Sequence, residues 1–334
     1  MLRIFFCFSA ILIVFSLTSC FKEDIQVQPH KPGSAFSDTI ALTASYKNQV
    51  YYNLREKLDV KTEYKAAWDL GFESSADGWR VILNSSCFMK AALLQNQKIG
   101  NPTDTTGAKW LFNPSDGSAD TIAITRWFKE SDRDTIGKNL IYAIDRGLDE
   151  NGVSRGFRQF TIDSLRNSTY YFRIATYNGS NVHSYQITRK PGVNHVLFSI
   201  DHPEADVSEP GNLDWDLLFT QYTTLLFTDA GEPYPYLVTG VVLNKNGVQV
   251  AVDSISSFDA IDYEFSQKMQ FSDARDRIGY NWKRYDFNSA SYTVNPDIIY
   301  VIRDTKGFFY KFRFLGFYNN KGEKGYPSFE YQQL

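Results

Sequence analysis

Apolar and polar residues alternate with a period of two through most of the chain beyond residue 40, which is the signature of half-buried strands. Trp68-Asp69-Leu70-Gly71-Phe72 and Trp215-Asp216-Leu217-Leu218-Phe219 carry it most clearly. In each, Trp, Leu and Phe are expected to share one sheet face, with Asp on the other. A similar strand precedes each segment. Gln49-Val50-Tyr51-Tyr52-Asn53-Leu54 starts the first, with Val50 18 residues before Trp68. His195-Val196-Leu197-Phe198-Ser199-Ile200 starts the second, with Val196 19 residues before Trp215. The ends of the two halves also match. Residues 140–147 lead to 170–175, and residues 298–304 lead to 309–314, each pair reading as a hairpin with turns around Gly152 and Lys306-Gly307. A further hairpin is expected over residues 238–253, where Val241-Val242-Leu243 and residues 248–252 flank Asn246-Gly247.

These patterns predict an all-β fold of two halves, each an antiparallel β-sandwich, related by internal duplication. The N-terminal domain is read as 39–190 and the C-terminal domain as 191–334, with the break at Lys190-Pro191-Gly192. Helix signals are weak: one turn over residues 89–94 and a short helix within 255–271. Length agrees, since 334 residues at roughly 100–200 per domain allow about two domains. The hydrophobic fraction of 43% argues against global disorder. The 53 aromatic residues, 16% of the chain, favour pleated surfaces.

The N-terminus reads as an address. Arg3 is followed by an apolar run over residues 4–17, about 14 residues, which is too short to span a bilayer and suits a signal peptide. It ends in Leu17-Thr18-Ser19-Cys20, which resembles a bacterial lipobox. Residues 1–19 are therefore expected to be removed and Cys20 to be lipidated, anchoring the protein in a bilayer through its acyl chains. Lys22-Glu23-Asp24 resembles the surface-export signal of Bacteroidetes lipoproteins. Residues 20–38, with Pro29, Pro32 and Gly33, read as a flexible tether.

Charge and rare residues remove several function classes. A net charge of −3 offers no excess of cations for phosphates, so nucleic acid is not an expected partner. Three cysteines exclude a disulfide scaffold, and Cys87 is left as the one free thiol after processing. It reads as buried and inert. His195 and His202 flank one strand about 23 Å long and read as strand-end or surface histidines rather than a metal pair. Asp69 and Asp216 repeat at matching places beside a Trp and read as structural, bonding a neighbouring strand's backbone. Phosphate loops, nucleophile elbows and HExxH motifs are absent, so an enzyme is not expected.

Three stretches carry a family resemblance. They are residues 215–222 (Trp-Asp-Leu-Leu-Phe-Thr-Gln-Tyr), Trp282-Lys283-Arg284-Tyr285-Asp286-Phe287 with Ile299-Tyr300-Val301-Ile302-Arg303, and residues 310–314 with 326–331. They resemble the HmuY-like haem-binding lipoproteins of Bacteroidetes. The resemblance implies a non-enzymatic outer-membrane lipoprotein facing the cell exterior, which binds haem for iron acquisition and passes it to an outer-membrane transporter. It also implies axial His or Met ligands in the C-terminal part. The corresponding strand, residues 282–288, has no His, so Tyr285 and the upstream Met269 are the candidates for a haem ligand. The alternative is a binding or assembly module without haem, holding a polypeptide, a glycan or a transporter.

Overall fold

The computed structural model describes residues 32–119, 121–129 and 135–334. The expected signal peptide, Cys20 and most of the expected tether lie outside the described residues; the end of the expected tether, Phe36–Asp38, is strand because it pairs with residues 329–331. Within them, strands form where the period-two pattern is strong, and they close into two β-sandwiches. One sandwich has a five-stranded sheet in the order Phe36–Thr39, Lys324–Gln333, Phe309–Tyr318, Ile299–Arg303, Gln249–Asp253. It faces a four-stranded sheet in the order Pro233–Leu243, Leu217–Phe227, Asn48–Asn53, Leu58–Tyr64. One core spans both sheets, with Phe219 stacked on Phe329 at 5.3 Å and Phe312 on Phe329 at 4.8 Å. The other sandwich sets His183–Thr188, Thr169–Thr176, Phe157–Arg166, Ile141–Asp145, Lys90–Leu94 and Trp110–Leu111 in one sheet, with Thr135–Gly137 and Phe128–Lys129 branching from it. Against it lie Val207–Ser208, His195–Phe198, Leu70–Glu73 and Val81–Leu83, with Phe72 and Phe172 rings 4.7 Å apart across the core. The strands pair antiparallel, as the alternating pattern predicts.

The break near Lys190 divides the sequence but not the pairing. Residues 32–334 form one unit. Asn48–Asn53 from the first half pairs with Leu217–Phe227 from the second, setting Val50 opposite Phe219 and Tyr52 opposite Leu217. His195–Phe198 from the second half pairs with Leu70–Glu73 from the first, setting Val196 opposite Phe72 and Phe198 opposite Leu70. The two crossings therefore have the same register. Ile40, Leu42, Val50, Tyr52 and Leu54 complete the core of the C-terminal half, and Phe198 completes that of the N-terminal half.

Asp69 and Asp216 stand at the two corners where the strands cross. Asp69 donates its N–H to Phe198 O at 2.8 Å and accepts Ile200 N–H on Oδ2 at 2.8 Å. Asp216 donates to Tyr52 O at 2.8 Å and accepts Leu54 N–H on Oδ2 at 2.9 Å. Asn84 and Asn244 close the corners by donating to Trp68 O and Trp215 O. An ion pair backs each corner with the charges exchanged: Arg146 meets Asp201 in one, and Arg55 meets Asp304 in the other. The corners differ in one respect. Asp69 also receives Arg146 Nε at 2.8 Å and Arg155 Nη2 at 3.1 Å, whereas Asp216 receives only the Thr305 N–H and hydroxyl beside Leu54.

Several local expectations are corrected. Trp215 does not share a face with Leu217 and Phe219; it packs with Tyr51 and Leu218 on the opposite face, because Asp216 takes the corner and the strand starts at Leu217. Residues 241–243 and 248–252 do not form a hairpin, because the chain changes sheets between them: Pro233–Leu243 pairs with Leu217–Phe227, and Gln249–Asp253 with Ile299–Arg303. In the first half, Ile141–Asp145 pairs with Phe157–Arg166 rather than with the strand over 170–175. The hairpin around Lys306-Gly307 forms as read. Residues 89–94 are strand, and the short helix near 255–271 is Tyr263–Ser266. Gly240 is required where the chain over 272–279 lies on Pro233–Leu243, since a Cβ there would sit 2.3 Å from Gly279 O.

The difference between the corners predicts unequal sensitivity. Asp69→Ala takes the shared carboxylate from two buried guanidinium groups, leaving Arg146 only Asp201 and Arg155 without a carboxylate partner, and is expected to cost about 3–5 kcal/mol. Asp216→Ala strands only neutral donors and is expected to cost about 1–3 kcal/mol. Urea unfolding followed by tryptophan fluorescence measures both. Equal losses would show that the arginines do not depend on Asp69.

Candidate functional site

Exposed aromatic chemistry gathers where two hairpins leave the C-terminal sandwich. Leu217–Phe227 and Pro233–Leu243 stay in register to their tips, placing Leu226 opposite Tyr234 and Thr224 opposite Tyr236. The buried alternation fails there, and Leu225, Phe227, Tyr234 and Tyr236 are all exposed. The second hairpin, Lys283–Asp286 with Ser291–Val294, sets Tyr285 opposite Tyr292, ring to ring at 5.0 Å. Tyr285 also meets Phe287 at 5.1 Å, and Phe287 is 88% exposed. Tyr292 is anchored on Phe317 of the core at 5.0 Å, and burial together with the neighbouring Tyr236 and Tyr285 pushes its phenol up. The second hairpin is tied to the first by Lys283, whose buried ammonium donates to Thr239 O beneath the rings of Trp282 and Phe317. Burial pushes the Lys283 amine down to about 7. Tyr236, Tyr285, Phe287 and Tyr292 thus form an aromatic shelf on a fixed base.

The two candidate haem ligands are not brought together. Tyr285 stands on the shelf, 39% exposed, and its hydroxyl makes no hydrogen bond among the described residues. Met269 packs with Phe265, Phe271 and Phe309 over Ala251 and Val301, on the outer face of the five-stranded sheet. Met269 packs on that cluster, whereas Tyr285 meets Phe287 and Tyr292. His183 and His202 are exposed, as the sequence suggests. Cys87 is buried, and burial pushes its thiol up, which agrees with an inert role. His195 differs from expectation. It lies at a strand start, but that strand is covered, and the ring is buried with Nδ1 2.9 Å from Glu209 Oε1.

His195 belongs to a second feature, a cavity of about 520 Å³ between the two sandwiches. Its N-terminal wall includes Trp68, Glu73, Arg80, His195 and Glu209, and its C-terminal wall includes Tyr51, Lys245 and Arg275. Glu73 ties the walls together: it accepts from Lys245 Nζ at 2.9 Å and Arg80 Nη1 at 3.1 Å. Burial pushes its carboxyl up, but Lys245 and Arg80 outweigh that and hold it at about 2. Burial drives the His195 ring below the ordinary imidazole value against the pull of Glu209, so the ring is neutral. Burial acts upward on Glu209 too, yet His195, Arg275 and Lys245 bring it below the usual carboxylate range. No sequence pattern announced this cluster, because Glu73 and Lys245 meet only through the strand crossing. Among the described residues no three His, Cys, Asp or Glu side chains gather in a metal-binding group.

The HmuY family profile, described as HmuY protein, matches residues 45–331. The chain belongs to the HmuY family. No curated protein matches it. Among solved structures, apo PinO from Porphyromonas gingivitis is similar at 10% identity, covering 90% of this chain and 98% of that one with a TM-score of 0.29. The apo HmuY analogue of Tannerella forsythia is similar at 10% identity, covering 91% and 98% with a TM-score of 0.26. A Bacteroides vulgatus protein described as HmuY-like and haem-binding is similar at 16% identity over 49% of this chain and 89% of that one, with a TM-score of 0.18. No helix of the described residues is long and apolar enough to cross a membrane.

Haem needs a flat apolar contact and an axial donor. The shelf fits a one-sided arrangement of that kind, with aromatic faces and an unbonded phenol at Tyr285. It does not fit a pair of His or Met ligands: the shelf has neither, and Met269 packs on a different cluster, the one holding Ala251, Phe258 and Val301.

The junction predicts acid sensitivity in two steps. His195 has a lowered folded pKa, so the unfolded chain takes the proton more readily. Stability therefore falls as pH drops through about 6.5 toward the lower folded value. Glu73 contributes stability above about 4.5 that is lost as pH falls toward about 2. Urea midpoints measured from pH 7 to pH 3 should decline across both ranges. His195→Gln should flatten the upper range and leave the lower one, and an unchanged upper slope in that variant would remove His195 from the account.

Proposed function

We propose that this HmuY-family protein is a surface-exposed outer-membrane lipoprotein, held by acyl chains on Cys20, that binds haem without catalysing a reaction. Haem lies on the shelf of Tyr236, Tyr285, Phe287 and Tyr292, with the Tyr285 phenolate as the single axial donor to ferric iron. The exposure of Tyr285 beside Phe287, on a hairpin anchored to the core, carries this reading. Scattered single aromatics on a surface need no explanation, but a contiguous group marks a binding site. Haem held from one side leaves its other face open, which suits transfer to an outer-membrane transporter. The lipobox ending at Cys20 and the Lys22-Glu23-Asp24 triplet support the location, with the chain ahead of the Phe36–Thr39 strand as the tether.

A second reading rests on the missing histidines. The same shelf would then hold a polypeptide, such as an exposed strand or loop of a transporter, through aromatic contact alone.

Titrating purified, non-lipidated protein with ferric haem separates the two. The expected result is a Soret band displaced from that of free haem. Tyr285→Phe should abolish the displacement and weaken binding by about tenfold or more, the equivalent of at least 1.4 kcal/mol. Met269→Leu should change neither. A free-haem Soret band at stoichiometric protein overturns the haem reading, and co-purification with a transporter that is lost in Phe287→Ser then favours the second.

A further inference from the structure

We propose that the cavity between the two sandwiches binds a small organic carboxylate that also carries a hydroxyl or ammonium donor. Its volume of about 520 Å³ suits such a ligand, since small-molecule sites range over roughly 300–1,000 Å³. None of the shelf residues lines it, so it is a separate site from the one proposed for haem.

The inference starts from unfilled hydrogen-bonding capacity. Glu209 is more than nine-tenths buried, and its Oε1 meets His195 while its Oε2 has no partner. Three donors are also open. Trp68 Nε1 and Arg80 Nε are buried without acceptors. Arg275 donates Nε to Leu243 O at 3.2 Å, and its terminal nitrogens make no hydrogen bond or ion pair among the described residues. Groups of this kind, when buried, are ordinarily satisfied, because each costs about 1–3 kcal/mol when left bare.

Charge narrows the ligand class. The inner wall carries Glu73 and Glu209 against Arg80, Lys245 and Arg275, with His195 neutral, which leaves one positive charge in excess. Asp116 and Asp273 lie on the exposed rim. A metal cation does not match that balance. An apolar molecule would leave the open groups unpaired. A carboxylate would meet the Arg275 guanidinium, whose terminal nitrogens are open, beside Trp68 and Arg80, and a second group that donates would meet Glu209. Trp68 and Tyr51 supply apolar surface for the carbon frame.

Calorimetric titration of the folded protein with L-malate, tartrate and gluconate tests the site, with succinate and glycerol as probes that lack the hydroxyl and the carboxylate respectively. At least one hydroxy acid should bind more tightly than either. Arg275→Gln should weaken it by about ten- to a hundredfold, the loss expected for one charge-assisted bond. Glu209→Gln should reduce the preference over succinate. Tyr285→Phe should change nothing, so failure of haem binding and failure of this site are told apart. In the unsubstituted protein the indole N–H resonance of Trp68, assigned with Trp68→Phe, should move on adding tartrate, malate or gluconate. This measurement does not depend on whether the charge variants fold. No heat with any of the three hydroxy acids, or binding that leaves the Trp68 resonance in place, overturns the proposal.

Discussion

The strand crossing is the constraint on which the rest of this structure depends. Asn48–Asn53 fills the sheet of the C-terminal half, and His195–Phe198 fills that of the N-terminal half. Take away either and a central pairing is lost together with buried side chains such as Tyr52 or Phe198. Fully burying one such side chain is worth about 1.5–3 kcal/mol, and a domain's whole margin is only about 5–15 kcal/mol. Neither half can therefore be expected to stand alone. The buried carboxylates at the corners follow from this geometry. Where a strand leaves one sandwich for the other, its backbone N–H has no ladder partner, and Asp69 or Asp216 supplies the acceptor.

The crossing also creates the seam between the sandwiches. It brings the outer face of one four-stranded sheet, with Tyr51 and Leu218, toward the strand ends that carry His195 and Glu73. Two sheets that meet at a seam rarely match shape as well as two faces of one core, and the mismatch here is a cavity. Charges can occupy it because they are paired: Glu73 reaches across the seam to Lys245 and also holds Arg80, while His195 bonds Glu209 within one wall. Opening the Glu73–Lys245 pair would leave a buried charge uncompensated, so this pair ties the two walls of the seam.

How much of this was legible in the sequence follows from the range of each interaction. The all-β class was, because alternation is local and survives in any topology. So was the structural role of Asp69 and Asp216, since their repetition beside Trp placed them at matching corners. The exchange of strands was not: a strand that pairs within its own half and one that pairs across carry the same period-two pattern. Everything downstream of the exchange was hidden with it, including the burial of His195 and the 172-residue separation of Glu73 from Lys245. The supposed hairpin over 238–253 failed for a related reason. Asn246-Gly247 does mark a turn, but turn chemistry cannot say whether the next strand joins the same sheet or the one facing it.

Tyr285 was named from the sequence through the family resemblance, and its setting shows how little the fold constrains the side chain at that position. Residues that close the cores, such as Trp282 stacked on Phe314 at 3.8 Å, cannot change without opening a void. Tyr285 and Phe287 lie three and five positions further on, beyond the sandwich, where a change of side chain alters little packing. The hairpin that holds them is still fixed in place, because Lys283 bonds Thr239 O and Tyr292 rests on Phe317. On the proposed reading, a rigid frame with free tips accommodates a phenol where the resemblance implies imidazole or thioether, while the fold stays the same. The family match over residues 45–331 and the absence of a histidine on the shelf are then consistent with each other.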